Sequence, residues 1–344
     1  MSDVALRVCV TGSNGLIGSH VVRELLVQGF QVKATLRVVD DPSKNGHLRA
    51  LAGAERLEFA KMDLEQPGDV DGLLDDCDAL IHCATAVKFA AKDPQREIVD
   101  VAVHGTTRVM AAAARSERTK QVVHLSSIAA IVSYTKPQNT RFTSKDWCED
   151  ASLQTNPYAL AKTLSERVAH ESANPRAGAT GYRLTCINPG YVLGPLLAKS
   201  HQHSSPGVVA DILSRKFPAC PPINFSVVDV RDVAEACVRV LTAELMGHRL
   251  CLVAGNVWWQ EMARILAKEY PARGIRVGRL PVGLVYAAAL FDKRVQFPML
   301  KRILNRVTHL DGETAAATLG LSYRPLHTSI RDTAASMFQL ELMR

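Results

Sequence analysis

A tyrosine and a lysine in the segment TNPYALAKTLSE have the types and spacing that acid–base chemistry needs. Tyr158 and Lys162 are four residues apart, and the helix that carries them is predicted to start near Pro157, a favoured first-turn residue. Residues at this spacing share one helical face, so the ammonium group can lower the phenol's pKa from about 10. The spacing fits a catalytic couple as well as two neighbours on a turn, and the surrounding elements must decide.

The elements around this pair alternate between short apolar strands and longer helices as far as about residue 190. The apolar runs are continuous, which is typical of parallel strands buried on both faces. A long helix is predicted over about 95–116. The pattern predicts an α/β fold with a Rossmann-type, doubly wound parallel sheet. The predicted strands are 5–11, 31–37, 57–62, 78–84, 121–126 and 181–188.

A loop with three glycines, TGSNGLIGSH, directly follows the first strand. Gly12 permits the tight turn, Gly15 lets the backbone approach a pyrophosphate, and Gly18 lets helix and strand pack closely. The N-terminus of the next helix adds free N–H donors and a positive dipole. A plain strand-to-helix turn is the alternative, but the position after a first strand favours dinucleotide binding.

The end of the second strand bears on which dinucleotide is bound. An acid there would bind the ribose 2′-hydroxyl of NAD, whereas this chain has Arg37, which suits a 2′-phosphate. Lys44 adds a second positive charge, while Asp40 and Asp41 leave open a contact with the hydroxyl. We therefore predict NADP(H) in preference to NAD(H), the alternative being that Arg37 only faces water at the strand end.

Other strand ends supply further candidates at the same edge of the sheet. Asp63, followed by Leu64, can accept a hydrogen bond from an adenine amino group, or it can simply start the next turn. Ser126 and Ser127 end the fifth strand, where a hydroxyl can hold a substrate carbonyl while Tyr158 protonates its oxygen.

The part after residue 190 loses the regular alternation. Short strands are predicted at 225–230, 249–254 and 274–279 among helices. We expect residues 1–190 to form the dinucleotide-binding domain with the catalytic residues. Residues 191–344 then form mainly a smaller, mixed substrate-binding part, some of whose segments return to the sheet.

The order of these motifs resembles that of the extended short-chain dehydrogenase/reductase superfamily. Within it, the chain is most similar to the dihydroflavonol-reductase-like branch, of NAD-dependent epimerase/dehydratase type, which includes NADPH-dependent aldehyde and ketone reductases. The likeness covers nearly the whole chain. It rests on TGSNGLIG, Arg37, Asp63-Leu64, Ser127, Tyr158-x-x-x-Lys162, NPGYVLGP at 188–195, VVDVRDVAEA at 227–236 and LGLSYRPLHTSIRDT at 319–333.

The resemblance implies a catalytic triad of Ser127, Tyr158 and Lys162, with Tyr158 as the acid and Ser126 as a rival for Ser127. It also implies a cofactor site. Its residues are Gly12, Asn14, Gly15, Leu16 and Ile17 at the diphosphate, Ala84 and Thr85 at the adjoining ribose, Pro189 and Val192 at the nicotinamide, and Tyr158 and Lys162 beside them.

Two positions depart from the pattern of relatives. TNPYALAK lacks the aromatic and cysteine-rich signature of the cinnamoyl-CoA reductases, which argues against a CoA thioester substrate. His104 stands where many superfamily members have asparagine, and it is interpreted as a solvated or satisfied helix histidine or as a proton relay.

The bulk composition narrows the class of protein. The chain is 47% hydrophobic and 22% charged, so we expect a packed core. Its eight cysteines form no C-x-x-C pair, which favours buried free thiols and no metal site. A strand pattern starts almost at residue 1, which predicts a cytoplasmic protein without a leader. The apolar run 280–291 is shorter than the about 20 residues of a membrane span, so a buried helix or pocket wall is expected.

The net charge of +7 is concentrated between residues 273 and 306. A solvated helix face is the first interpretation, and an acidic substrate or an anionic membrane surface are the others. No nucleic-acid-binding module accompanies this charge. The face would carry Lys293, Arg294, Lys301, Arg302 and Arg306.

These features together predict an NADPH-dependent reductase of a small-molecule aldehyde or ketone, as a monomer or homodimer. A 3β-hydroxysteroid dehydrogenase and a nucleotide-sugar epimerase or dehydratase of the same fold stay open. A dinucleotide sensor without turnover is a further alternative, although such proteins commonly lose the tyrosine or lysine.

Overall fold

A parallel sheet of seven strands forms the centre of the computed structural model, which describes residues 6–85, 91–173, 181–243, 245, 247–289 and 297–343. The order β3-β2-β1-β4-β5-β7-β10 confirms the Rossmann-type, doubly wound fold. Its strands are β1 (Arg7–Thr11), β2 (Gln31–Leu36), β3 (Leu57–Lys61), β4 (Ala79–His82), β5 (Gln121–Leu125), β7 (Arg183–Pro189) and β10 (His248–Leu252).

Two smaller sheets accompany the large one. One contains β8, β9 and β11, and the other pairs β6 with β12. Their strands are β6 (Arg141–Phe142), β8 (Tyr191–Leu193), β9 (Asn224–Asp229), β11 (Gly255–Trp258) and β12 (His309–Leu310).

Eleven α-helices are described, and a π-helical turn at Gln95–Asp100 leads into the third. The helices predicted over 95–116 and from Pro157 are α3 and α4. The helices are α1 (Leu16–Val27), α2 (Pro42–Arg49), α3 (Val101–Arg115), α4 (Pro157–Ala173), α5 (Gly207–Leu213), α6 (Val230–Thr242), α7 (Trp259–Glu269), α8 (Val282–Ala289), α9 (Phe297–Ile303), α10 (Glu313–Leu319) and α11 (Leu326–Gln339).

Helices cover both faces of the large sheet, which explains the continuous apolar runs of its strands. Val8 and Val10 pack into a cluster with α1 and α6, whereas Cys9, on the opposite face of β1, packs with α3. All of these side chains are fully buried. Because every strand is parallel, each ends at the same edge, and the reversal of order between β1 and β4 opens a crevice there.

The C-terminal part combines its own sheet with a return to the large one. β10 is an outer strand of the large sheet, beside β7, and the division at residue 190 stays a prediction. The prediction of a strand at 274–279 is wrong. Only Arg279 forms an isolated bridge, to Cys220, because Gly274 has a positive φ of 56° and the segment has no neighbouring strand for a longer ladder.

The apolar run 280–291 forms the helix α8 as far as Ala289, and residues 290 and 291 lie outside the described residues. The expected burial is wrong, because Leu284 is 56% exposed. None of the described residues of this run lines the large cavity described below. Among the described residues, no helix is long and apolar enough to cross a membrane.

The basic segment matches the predicted solvated helix face only in part: Lys301 on α9 is exposed as predicted, whereas Arg302 and Arg306 are half-buried. Arg302 forms an ion pair with Asp150 at 3.2 Å, and only 21% of its side chain is exposed. Arg306 donates hydrogen bonds to the carbonyl oxygens of Tyr134 and Lys136. These two side chains thus serve internal contacts, while Lys293 and Arg294 lie outside the described residues.

The glycine loop supplies a stability prediction. A Cβ atom on Gly18 would overlap the carbonyl oxygen of Gly12. We expect Gly18→Ala to lower the free energy of unfolding by about 1–3 kcal/mol, as overpacking does, measured by urea denaturation. Gly46→Ala in α2 is the control, because a Cβ atom there meets no atom within 4 Å. Equal stability of the two variants would contradict the steric interpretation.

Candidate active site

A cavity of about 830 Å³ lies at the carboxyl edge of the large sheet, between its loops and the C-terminal segments. Of the predicted site residues, only Lys44 lies outside its lining. The lining includes Gly12, Asn14, Gly15, Leu16, Ile17, Arg37, Asp63, Leu64, Ala84, Thr85, Ser127, Tyr158, Lys162, Pro189 and Val192.

The glycine loop forms one end of this cavity. Gly12 has φ of 67°, and a Cβ atom on it would lie 2.8 Å from the backbone of Ala84. Gly15 precedes α1 and gives it no side-chain cap. The first-turn N–H groups of α1 are therefore available to an anion, and the backbone is bare enough for a phosphate to approach.

A buried histidine from the C-terminal part supports the same loop. His201 Nε2 contacts the carbonyl oxygen of Asn14 at 3.1 Å, and its Nδ1 accepts a hydrogen bond from the N–H of Leu197. Burial lowers the pKa of His201 to about 4, so the ring is neutral and Nε2 carries the proton that it donates to Asn14. No periodicity or motif in the sequence predicts this contact.

Arg37 is exposed at the end of β2 and lines the cavity. Of the two acids that complicate this end, Asp41 caps α2 by accepting a hydrogen bond from the N–H of Ser43 at 2.9 Å. Lys44 is exposed on α2 outside the lining. Arg37 is therefore the charged residue that the end of β2 contributes to the cavity lining.

Asp63 lines the cavity beyond the end of β3. Its carboxylate accepts a hydrogen bond from the N–H of Glu65 at 3.0 Å, and its own N–H donates to Asp69. Asp63 therefore starts a turn. It also lines the part of the cavity where an adenine base can lie. Leu64 packs against Gly105, where a Cβ atom would come within 2.8 Å of it.

Ser127 and Tyr158 approach each other at the opposite end of the cavity. Ser127 Oγ accepts a hydrogen bond from the N–H of Ala129 at 3.1 Å, which leaves its own O–H free to donate. Burial raises the pKa of Tyr158, and the hydrogen bond with Ser127 opposes that rise. The phenol is therefore protonated at neutral pH. The lowering of the Tyr158 pKa by Lys162 stays a prediction.

Lys162 is buried on α4, and its ammonium group donates a hydrogen bond to the carbonyl oxygen of Leu125 at 3.0 Å. Burial lowers the pKa of Lys162 to about 8, while Cys83 and Glu166 oppose that effect. Two further N–H donors of the ammonium group stay available. The ammonium group is thus mostly charged at neutral pH, and it loses its proton above about pH 8.

The two adjacent serines differ in their contacts. Ser126 Oγ donates to the buried carboxylate of Glu166 at 2.5 Å. Ser127 is the serine that contacts Tyr158. The geometry therefore favours Ser127 as the hydroxyl that faces a reacting group.

The remaining wall comes from the loops before α4 and from the C-terminal part. It is largely apolar, and its charged pair, Arg302 with Asp150, is neutral as a unit. His104 is exposed on α3 outside the lining, in agreement with a solvated histidine. Further lining residues are Ile128, Val132, Tyr134, Ile223, Asn224, Phe225 and Ile303.

Sequence reasoning missed a buried polar cluster behind the catalytic candidates. Its centre is Glu166, whose carboxylate accepts hydrogen bonds from Ser126, Asn188 and Arg249. Two signals pointed to it: Glu166 follows Lys162 by one helical turn, and Arg249 interrupts the apolar strand β10. Glutamate and arginine are rarely fully buried without a partner. Each residue therefore indicates a buried polar contact but does not identify the partner.

The fold, the phosphate-type loop and the cavity at the switch point define a dinucleotide-binding α/β protein. The chain belongs to the NAD dependent epimerase/dehydratase family, whose model matches residues 8–250. A cinnamoyl-CoA reductase of Medicago truncatula is 33% identical over 98% of this chain and 97% of its own length. A dihydroflavonol 4-reductase of Arabidopsis thaliana is 32% identical over 56% of this chain and 51% of its own length. The chain thus lies among the reductases of this family, which confirms the resemblance inferred from the motifs.

A solved structure extends the comparison to the fold. The Gre2 protein of Candida albicans, in complex with NADPH, has a TM-score of 0.81 and 26% sequence identity. The match covers 97% of this chain and 99% of that chain. The whole architecture, including the C-terminal part, is therefore shared with a protein that binds NADPH.

Proposed function

We propose that the protein is an NADPH-dependent reductase of an uncharged, mostly apolar aldehyde or ketone. The observation that carries the proposal is the meeting of Ser127, Tyr158 and Lys162 at one end of a cavity whose other end is a phosphate-type loop. The reductase relatives support the same reaction class.

The catalytic side chains have separate roles. Ser127 donates its hydroxyl hydrogen to the carbonyl oxygen and orients it. NADPH, when bound, supplies a hydride to the carbonyl carbon. Tyr158 gives its phenolic proton to the oxygen, so that the carbonyl becomes an alcohol, and the ammonium group of Lys162 stabilises the phenolate that is left.

The residues of the cavity fit this cofactor. The bare glycine loop and the α1 N-terminus accommodate a diphosphate, and Arg37 supplies the charge for a 2′-phosphate. Asp63 and Leu64 would border the adenine, and Ala84 and Thr85 the adjoining ribose. Pro189 and Val192 would border the nicotinamide, with Tyr158 and Lys162 beside them. The NADPH-bound structural relative supports this assignment.

The substrate wall favours an uncharged compound. Arg302, the one cation that the described residues of this wall contribute, is already paired with Asp150, which favours an uncharged compound over an acid or a nucleotide-sugar diphosphate. Of the apolar run 280–291, the side chains at 280–287 are described and none of them lines the cavity, so they do not support a steroid wall there. Because cinnamoyl-CoA reductases are among the relatives, a CoA thioester is the second candidate, although the motif TNPYALAK lacks their signature.

The substrate class can be tested by NADPH oxidation. The panel consists of aldehydes, ketones, dihydroflavonols, steroids and cinnamoyl-CoA. We expect the highest kcat/KM with uncharged aldehydes or ketones. Turnover confined to the thioester would replace the proposed substrate class, and no turnover in the whole panel would favour a dinucleotide sensor.

Replacement of Tyr158 by phenylalanine tests the proton donor. Tyr158→Phe removes the proton but keeps the ring, so kcat should fall about 10²- to 10⁴-fold while NADPH affinity, measured by fluorescence titration, is retained. Tyr270→Phe is the control, because Tyr270 packs on Phe338 outside the cavity lining. Full activity of Tyr158→Phe would refute the mechanism.

Replacement of Arg37 tests the cofactor preference. A charge-assisted hydrogen bond contributes about 1.5–3 kcal/mol, so Arg37→Ala should raise the KM for NADPH roughly 10- to 100-fold and leave that for NADH nearly unchanged. Lys44→Ala, outside the cavity lining, should have a smaller effect. An equal loss with both cofactors would contradict the 2′-phosphate role.

The pH dependence of reduction should report Lys162. Its pKa of about 8 means that the ammonium group is charged below pH 8 and loses its proton above it. We expect kcat/KM to be level at neutral pH and to fall towards tenfold per pH unit above about 8. Circular dichroism over the same range checks that the fold persists. A level profile up to pH 10 would exclude this dependence.

A further inference from the structure

A buried carboxylate lies behind the reacting side chains without lining the cavity. Glu166 is 0% exposed. Its Oε2 accepts hydrogen bonds from Ser126 Oγ at 2.5 Å and from Asn188 Nδ2 at 2.8 Å. Its Oε1 accepts from Arg249 Nε at 2.6 Å. Three donors from three elements thus converge on one side chain.

Arg249 is fixed by contacts of its own. It donates to the carbonyl oxygens of Ser144 and Asp146 at 2.7 and 2.5 Å. Its guanidinium carbon lies 3.8 Å from the centre of the Trp147 ring. The cation is therefore held in place from several sides, and it neutralises Glu166 where desolvation of a lone carboxylate would be costly.

The cluster connects directly to the segments that carry the reacting groups. Asn188 Nδ2 also donates to the carbonyl oxygen of Ser127 at 3.2 Å. Ser126 N–H donates to Ile187 in β7 at 2.8 Å. Since Glu166 lies one turn after Lys162 on α4, its carboxylate joins the ends of β5 and β7 to the catalytic helix.

We propose that Glu166, held by Arg249, is a positioning residue for the reduction: it fixes the Ser126-Ser127 turn against the helix that carries Tyr158 and Lys162. This inference rests on the proposed function. Apolar side chains of similar volume can match a buried ion pair in stability. Such apolar side chains cannot accept the hydrogen bonds of Ser126 and Asn188. A variant that carries them can therefore lose the hydrogen-bonding role and still keep its stability.

The charge of Glu166 also acts on Lys162. The groups that face Lys162 from the neighbouring elements are Cys83, His82 and His124, besides Tyr158 and Glu166 on its own helix. Burial raises the pKa of Cys83 to about 12 and lowers that of both histidines, so these three are neutral at neutral pH. Glu166 is then the negative charge that raises the pKa of Lys162.

The test compares Glu166→Gln with the wild-type enzyme. Because a misplacement of about 1 Å can cost about 10²-fold in rate, we expect kcat to fall roughly 10- to 100-fold with an unchanged KM for NADPH. The loss of activity at high pH should begin at lower pH, since Lys162 loses its neighbouring negative charge. If Glu166 had only a structural role, the folded Glu166→Gln enzyme would keep the wild-type kcat, the wild-type KM and the wild-type pH profile.

Asp232→Asn is the matched control. Asp232 is 1% exposed and paired with Arg324, away from the cavity lining. This variant should lose stability but keep the wild-type kcat and pH profile.

Two further variants keep the proposal testable if Glu166→Gln does not fold. Ser126→Ala removes one donor without stranding a charge, and kcat should fall while the melting temperature stays near that of the wild type. The double variant Glu166→Leu/Arg249→Met removes the ion pair as a unit, so its stability should exceed that of either single variant. Its kcat should stay low.

The outcomes separate this inference from the proposed function. Wild-type kcat and pH profile in Glu166→Gln, in Ser126→Ala or in the double variant would overturn the positioning role, provided that the kcat of Tyr158→Phe falls as expected. Activity retained in Tyr158→Phe would overturn the proposed reaction itself.

Discussion

The close approach of two backbones at the switch point of the sheet is the constraint on which the cavity depends. The loop after β1 and the loop after β4 come so near that a side chain on Gly12 would strike Ala84. The side chain of Thr11 joins the same loops, through a hydrogen bond from the N–H of Ala84 and a contact with His82. Because the two loops are fixed at this point, the shape of the crevice between them is fixed as well. The N-terminus of α1 faces this crevice.

The second requirement is that polar groups at this edge find partners inside the protein. Lys162, Glu166 and Arg249 are all nearly inaccessible to water, and a buried charge without a partner costs several kcal/mol. Each is satisfied by protein groups rather than by solvent: Lys162 and Glu166 by groups at strand ends, and Arg249 by Glu166 and the carbonyl oxygens of Ser144 and Asp146. The rigid sheet therefore serves both as the scaffold and as the source of the carbonyl and amide groups that hold the charged side chains.

Most of the large sheet could be predicted from sequence because its strands are continuous apolar runs with a single interpretation. The site residues on its edge were predictable for the same reason: a residue that follows a parallel strand must lie at that edge. The C-terminal part was harder. The segment 274–279 has the composition of a strand but no neighbour to pair with, and α8 is apolar without being buried, because exposure depends on what packs nearby. The sequence pattern predicts Arg302 to be a surface charge, because its partner Asp150 is far away in sequence.

The position of β10 has a consequence for the integrity of the chain. This strand supplies the outer edge of the large sheet beside β7, and it also carries the cation of the buried ion pair. A chain cut after β9 would leave β7 with unpaired N–H and C=O groups along a buried-type apolar edge, a template for edge-to-edge aggregation. It would also leave the carboxylate of Glu166 without its counter-ion. Residues 1–190 thus depend on a strand and on a counter-ion that come from later in the chain.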